Sequence, residues 1–316
     1  MAEGEAATRT IGEGDTPLAP TLASLFLRAM RRHDRSAVVL HREASRWRET
    51  PDWRFERHVI RLALFLRDRA ALLPGERVAI VSSLRPELAV TELAAVSQGA
   101  ACIVIDAELP PDQLSLALAA VTPAAVILER AAAAERIGSG HRMLVALDEK
   151  AREGCVWTEA LDLGGTLDTP ERAQAFRARA REVPGSAAAL GSLIARDGAV
   201  RCQFIDHVEA VRRVETLWAD RAPAKGDVTY VAGVGTVGAR IALLAGIMDG
   251  LTRCAIGTPG SELSEISELR PKSVVASEEV QRQVRRAPPP AVPQQSSSWR
   301  IFDWLRGRRE VGRRKQ

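Results

Sequence analysis

The sequence is poor in aromatic residues and in cysteine. Only 4% of its 316 residues are aromatic, and Tyr230 is the single tyrosine. The four cysteines lie far apart, at positions 102, 155, 202 and 254, and no C-x-x-C pair occurs. This spacing argues against a disulfide framework and against a zinc site. The apolar volume must come mainly from alanine, leucine and valine, as expected for helices that pack on a sheet.

Long apolar runs are also missing. No stretch approaches the ~18 uninterrupted apolar residues of a membrane-spanning helix. Residues 1–20 carry acidic side chains and no apolar segment, so we expect a disordered leader rather than a signal peptide. Histidines with metal-site spacing and a G-x-S-x-G nucleophile motif are absent from the sequence. These absences favour a cytoplasmic protein without a metal site of its own.

The net charge of +4 is concentrated at the C-terminus. Residues 299–316 hold seven basic and two acidic side chains, so the rest of the chain is close to neutral. Trp299 and Trp304 lie among these arginines, and we predict a basic terminal helix over 299–316. Tryptophan and arginine together suit contact with a membrane surface, which would make the protein peripheral. The basic residues are confined to this tail, so we expect no nucleic-acid binding.

Short apolar strands alternate with helical segments through the body of the chain. "RVAIVS" (77–82), "CIVID" (102–106) and "AAVILE" (124–129) are continuous apolar runs separated by amphipathic stretches. This pattern predicts an α/β fold, a mainly parallel sheet with helices on both faces. We place this α/β domain at residues 21–282, followed by a Pro/Ser-rich linker at 283–298.

Residues 72–129 carry three motifs in a recognisable order, at Pro74-Gly75-Glu76, Arg85-Pro86-Glu87 and Gly99-Ala100. This segment resembles AMP-binding, acyl-adenylate-forming enzymes, and in particular the N-terminal part of bacterial long-chain fatty acyl-CoA synthetases. The terminal "WRIFDWLRGRREVGRR" is similar to a helix of the same enzymes. The resemblance implies the fold of their N-terminal subdomains and an ATP- and Mg²⁺-dependent ligase ancestry.

The family's phosphate loop, Y-T-S-G-T-T-G-x-P-K-G, wraps the ATP phosphates with hydroxyls and backbone N–H groups. Its counterpart here is "SLIARDGAVRC" (192–202). By this resemblance Gly198 matches the glycine of T-T-G, Arg201 matches the lysine, and His207 matches a histidine after the loop. We expect these three to be vestigial and ATP binding to be lost, because the hydroxyl positions are changed. They are Leu193, Ile194, Arg196 and Asp197.

The resemblance further implies an adenine-binding aromatic loop, a Mg²⁺-binding glutamate, a ribose-binding aspartate and a catalytic lysine, and the chain stops before these regions. Our leading hypothesis is a degenerate, truncated, non-catalytic binding or regulatory partner in acyl or lipid metabolism. Its partner would be a full-length acyl-CoA synthetase or another protein. The alternative is one half of a split acyl-CoA ligase, in which Gly198 and Arg201 would still serve the phosphates.

A second alternative rests on the segment Gly233–Gly238, which matches G-x-G-x-x-G. It follows a predicted strand and precedes a predicted helix, which is the context of a dinucleotide fingerprint. The next strand, however, ends in Gly257-Thr258 instead of an acidic residue that could bind a ribose. The other interpretation is therefore a glycine-rich turn without a cofactor.

Overall fold

The computed structural model describes residues 20–31, 35–137, 140–149, 152, 154–196, 199–233, 236–286 and 300–301. The helices that it describes are α1 (Leu22–Met30), α2 (Asp52–Arg69), α3 (Pro86–Val96), α4 (Pro111–Val121), α5 (Trp157–Leu167), α6 (Pro170–Glu182), α7 (His207–Arg221), α8 (Val237–Met248), α9 (Glu262–Leu269) and α10 (Glu278–Arg286). A 3-10 turn spans Ala131–Arg136.

The strands form two sheets. The described strands are β1 (Val39–Glu43), β2 (Arg46–Thr50), β3 (Arg77–Val81), β4 (Ala101–Ile105), β5 (Ala125–Leu128), β6 (Met143–Ala146), β7 (Cys155–Val156), β8 (Ala188–Arg196), β9 (Ala199–Asp206), β10 (Val228–Val231), β11 (Arg253–Ile256), β12 (Ser273–Val275) and β13 (Arg300–Ile301). Sheet A has the order β13-β12-β10-β11-β1-β2, and sheet B has the order β7-β6-β5-β3-β4-β8-β9. Among the described pairs only β1–β2 and β8–β9 are antiparallel, which confirms the predicted mainly parallel α/β fold.

Alternating side chains divide the core into three layers. In β3, Val78 and Ile80 face the space between the two sheets, whereas Ala79 and Val81 face the outer side of sheet B. The inner space holds α1, α2, α3 and α8, and α4 covers the outer face of sheet B. Helices α9 and α10 cover the outer face of sheet A. Because α8 is enclosed by neighbours, every residue from Ala239 to Met248 is buried.

Polar capping residues mark the starts of α1 and α7. Thr21 and Ser24 form a capping box at the start of α1, each side chain accepting from the other residue's backbone N–H. Asp206 caps α7 by accepting the N–H of Glu209 at 2.8 Å, as its D-x-x-E pattern predicts. No described helix is long and apolar enough to cross a membrane.

Two described pieces of the C-terminal segments differ from the prediction. The predicted linker begins at 283, but α10 continues to Arg286 because Val280 and Val284, one helical turn apart, contact the outer core of sheet A. The predicted terminal helix begins at 299, but Arg300 and Ile301 pair as a strand with β12. Trp299, Trp304 and residues 1–19 of the predicted leader lie outside the described residues.

Candidate functional site

The segment that aligns with the family's phosphate loop forms a β-hairpin. Strand β8 pairs with β4 in parallel and with β9 in antiparallel register. Within the hairpin Ser192 faces Gln203, and Arg196 faces Ala199. Residues 192–196 and 199–202 are therefore strand residues, although the segment aligns with the family's phosphate loop. Gly198 and its neighbour Asp197 lie between the two strands, outside the described residues.

The hairpin is also held by side-chain packing. Leu193, Cys202 and Phe204 lie on one face and pack against the outer core that includes α4. The thiol of Cys202 lies 3.4 Å from the carbonyl oxygen of Ala120 and donates to it. The guanidinium of Arg77 stacks 5.2 Å from the centre of the Phe204 ring. Leu193, at a position where the family's loop has a hydroxyl, thus contributes core contacts together with Cys202 and Phe204.

The described residues of the hairpin offer few groups that suit ATP phosphates. A phosphate-binding loop must aim several backbone N–H groups at one point, and small residues must allow the close approach. In the hairpin the backbone groups between β8 and β9 bond to each other, and Leu193 and Ile194 replace hydroxyl donors. The described residues hold no cluster of three His, Cys, Asp or Glu side chains that could bind a metal ion.

Two of the three residues predicted for the vestigial site, Arg201 and His207, lie far apart. Arg201 pairs across the hairpin with Ile194 and is exposed, whereas His207 is buried at the other end of β9. Six residues of extended chain separate them, which is about 20 Å at the rise of a β-strand. Gly198 lies outside the described residues, so the distance concerns Arg201 and His207 alone.

His207 has a structural position. Its Nδ1 accepts the backbone N–H of Leu22, at a distance of 3.2 Å, and so ties the start of α7 to the start of α1. The side chain is fully buried, and burial lowers its pKa to about 4, which the nearby Asp206 opposes only in part. A neutral imidazole whose acceptor nitrogen is already used is poorly placed to contact a nucleotide.

Arg240, which no sequence pattern singled out, lies directly behind the hairpin. It is the largest fully buried side chain in the described part of the chain, and it forms an ion pair with the equally buried Glu92 of α3. It also donates to the carbonyl oxygens of Gly191 (2.6 Å) and Cys102 (2.9 Å). Burial raises the pKa of Glu92, and Arg240 opposes that rise. The pair joins α3, α8, β4 and β8 at the base of the hairpin.

The glycine-rich segment Gly233–Gly238 connects β10 to α8. Gly233 has a φ of 121°, a conformation that favours glycine, and Thr236 caps α8 by accepting the N–H of Ala239. Strand β10 lies between β12 and β11, so the third strand of this unit lies beside the first. A dinucleotide fold places the third strand beside the second. The strand order therefore gives the dinucleotide hypothesis no support.

The carboxylate nearest to the end of β11 is already engaged. Glu265 is fully buried and accepts the hydroxyl of Tyr230 (2.7 Å) and the backbone N–H of Thr258 (3.0 Å). Both bonds go to Oε2, and the side chain has no exposed surface that a ribose could contact. A cavity of about 400 Å³ does exist in this half of the molecule, but it lies at the opposite, N-terminal ends of the strands of sheet A, between Trp218, Thr229 and Ser273.

Comparison with known proteins identifies the fold. The structure resembles a protein described as a long-chain-fatty-acid CoA ligase from Rhodopseudomonas palustris (TM-score 0.70, 16% identity, 86% of this chain and 67% of that chain). It also resembles the luciferase-like enzyme of the mealworm Zophobas morio (0.67, 14%, 87% and 63%). A third similar structure is the acetoacetyl-CoA synthetase of Streptomyces lividans (0.69, 17%, 84% and 44%).

The chain thus spans 44% to 67% of the length of these three proteins. At such low identities they show the fold alone. Comparison with curated proteins gives no significant match. The profile of the AMP-binding enzyme family matches residues 25–189, slightly more than half of the chain, and its match ends where the hairpin begins. The chain therefore belongs to the AMP-binding enzyme family.

Proposed function

We propose that this chain is a degenerate AMP-binding protein that does not form acyl-adenylates by itself and acts as a binding or regulatory partner in acyl metabolism. The observation that carries the proposal is the hairpin: the counterpart of the phosphate loop is two paired strands, with Ile194 opposite Arg201. Membership of the AMP-binding family suggests descent from acyl-adenylate-forming enzymes. The role in acyl metabolism is inferred from the ligases with similar structures.

The energetic argument concerns what opening the hairpin would require. Re-forming a phosphate loop would break the pairing of β8 with β9 and expose Leu193, Cys202 and Phe204, which now pack beside α4. Each apolar side chain of this size contributes about 1.5–3 kcal/mol when fully buried, and less when partly buried. The reopened loop would have few hydroxyl donors for a triphosphate. Hydrogen bonds to the phosphates would therefore not offset the lost burial of these side chains.

The buried ion pair of Arg240 with Glu92 is a second observation that supports the loss of nucleotide binding. A cavity next to the hairpin would need free space between α3, α8 and β8, yet the Arg240 side chain fills it and uses its donors on Glu92, Gly191 and Cys102. Moving this side chain would leave the carboxylate of Glu92 buried without its counter-ion, which is strongly unfavourable.

A pyrophosphate-release assay tests the loss of catalysis. Purified chain is incubated with ATP, Mg²⁺, CoA and fatty acids of 8 to about 18 carbons, beside a full-length active acyl-CoA synthetase as the positive control. We expect no fatty-acid-dependent pyrophosphate above the enzyme-free blank. Fatty-acid-dependent release that the Arg201→Ala variant lacks would overturn the proposal.

A mixing experiment distinguishes the partner role from the split-ligase alternative. The chain is added to a full-length acyl-CoA synthetase from the same source, and complex formation is followed by size-exclusion chromatography together with activity. A regulatory partner changes the synthetase activity equally with wild-type chain and with Arg201→Ala. Half of a split ligase would instead supply new activity to an otherwise inactive chain and would lose it with Arg201→Ala.

Surface contact with a membrane through Trp299, Trp304 and the basic tail remains a separate proposal. Its support is the sequence alone, because these residues lie outside the described part of the chain. Sedimentation with vesicles of phosphatidylcholine and phosphatidylglycerol, compared between the full chain and a variant ending at residue 298, tests it. We expect the shortened variant to lose the binding, and equal binding of both would contradict this proposal.

A further inference from the structure

The cavity of about 400 Å³ lies between the C-terminal ends of α7 and α8 and the N-terminal ends of β10 and β12. Cavities of this volume hold small ligands in many proteins. Ligands of open α/β sheets usually bind at the carboxyl ends of the strands. This cavity lies at the other ends, and none of the residues that line it belongs to the β8–β9 hairpin or to Gly233–Gly238.

Two buried hydroxyl groups line the cavity next to each other. Thr229 and Ser273 are partners in the β10–β12 ladder, and both are more than nine-tenths buried. They face the space between the sheets, because their neighbours Tyr230 and Val274 face the outer side of sheet A. The Ser273 hydroxyl donates to Oγ1 of Thr229 at 3.0 Å. Among the described residues the Thr229 hydroxyl has no acceptor, so the pair offers a ligand one O–H donor and, on Ser273, an acceptor.

The charged side chains of the lining are balanced by other groups of the protein. Nζ of Lys272 lies 2.7 Å from Oδ2 of Asp227. Asp249 lies 3.9 Å from Arg35, and its charge also raises the pKa of Arg221, which burial lowers. An ion that entered the cavity would lose its hydration and would compete with these contacts. The lining therefore favours an uncharged ligand.

The remaining lining is largely apolar and includes one indole. Trp218 donates its Nε1–H to the carbonyl oxygen of Ala245 at 2.9 Å, which fixes the ring between α7 and α8. An aromatic ring held in this way suits contact with a planar ligand. The other apolar residues of the lining are Ala219, Ala222, Pro223, Ala245 and Gly246.

We propose that this cavity binds a small uncharged ring compound with an amide edge, in which a carbonyl lies beside an N–H group. The carbonyl oxygen accepts from the Thr229 hydroxyl, the N–H donates to Oγ of Ser273, and the ring lies against Trp218. A carboxylate of the same shape has no donor for Ser273 and is buried without a counter-ion. The site is independent of the function proposed above.

Benzamide, 2-pyridone and uracil are the probes, and benzoate is the charged control. Saturation-transfer NMR with the full chain detects binding at millimolar concentration, and titration gives the dissociation constants. We expect at least one probe to bind wild type and benzoate not to bind. Thr229→Val keeps the side-chain shape but removes the donor, so binding should weaken about fivefold, as expected for one lost hydrogen bond. The control Thr91→Val changes a buried threonine of α3 outside the cavity and should bind as wild type does.

A second variant narrows the cavity without changing its hydroxyl groups. Ala219 is an exposed residue of α7 that lines the cavity, so Ala219→Leu should fill space there and leave the fold intact, which thermal unfolding verifies. We expect this variant to lose probe binding. The proposal is overturned if no probe binds wild type, if benzoate binds as well as benzamide, or if Thr229→Val and Ala219→Leu both bind as Thr91→Val does. Any of these results would indicate a cavity that holds water only.

Discussion

Arg240 of α8 and Glu92 of α3 form an ion pair in which neither side chain is exposed to solvent. The residues are 148 positions apart in the sequence, and their contact joins the helices between the sheets to the base of the β8–β9 hairpin. Desolvating two charges costs several kcal/mol for each ion, so the pair depends on the further bonds from Arg240 to Gly191 and Cys102.

Replacing one partner should therefore be worse than replacing both. Arg240→Met leaves the Glu92 carboxylate and two carbonyl oxygens buried without a donor, and we expect a loss of about 3–5 kcal/mol in the free energy of unfolding. The double variant Arg240→Met with Glu92→Leu should recover much of that loss. Urea unfolding measures both. A double variant less stable than Arg240→Met would contradict a buried pair.

His207 should make the stability sensitive to mild acid. Its folded pKa of about 4 lies below the 6.5 of a free histidine, so the unfolded chain binds the proton more readily. This contribution is complete above pH 6.5 and is lost as the pH falls towards 4. Between pH 7.5 and 5 we expect a loss of about 2 kcal/mol from this group.

The variant His207→Asn isolates the effect. Asparagine can keep an acceptor for the N–H of Leu22 but does not titrate, so its unfolding free energy should fall less over the same pH range. Urea unfolding of both proteins at several pH values gives the difference. Parallel pH profiles of the two proteins would show that His207 is not buried in its neutral form.

Two adjacent glycines of α5 should respond in opposite ways to alanine. A Cβ on Gly164 would lie 2.2 Å from the backbone oxygen of Arg61 in α2, whereas one on Gly165 would lie 3.3 Å from the flexible end of the Arg61 side chain. We expect Gly164→Ala to destabilise by about 1–3 kcal/mol through separation of the helices. Gly165→Ala should be neutral or gain up to ~1 kcal/mol of helix propensity. Thermal unfolding of the two variants compares them directly, and equal effects would contradict the close contact of α2 with α5.

The fold was largely accessible from the sequence because its signals are local. Continuous apolar runs such as those of β3, β4 and β5 predict buried parallel strands, and the motifs around Gly75, Pro86 and Gly99 indicate the family. The profile match and the similar structures confirm both. The boundaries of α10 and β13 were missed because they depend on contacts with sheet A that no local pattern shows.

Strand β9 escapes the sequence analysis for a different reason. The stretch 192–202 aligns without gaps to a known loop, and this resemblance drew attention away from a second strand. The dipeptide Asp197-Gly198 between apolar runs is nevertheless a strong signal for a two-residue hairpin turn, and it would have predicted β9. Arg240 and Glu92 could not have been paired from the sequence, because a single buried arginine in an apolar helix does not indicate its distant partner.

Direct titration of the chain with Mg²⁺·ATP is the sharpest test of the central claim, that the phosphate loop has become a closed hairpin. Isothermal titration calorimetry of the full chain should show no saturable binding up to millimolar nucleotide, and Arg201→Ala should behave identically. Saturable binding with one nucleotide per chain, abolished by Arg201→Ala, would contradict the claim and show that the segment still serves as a nucleotide site.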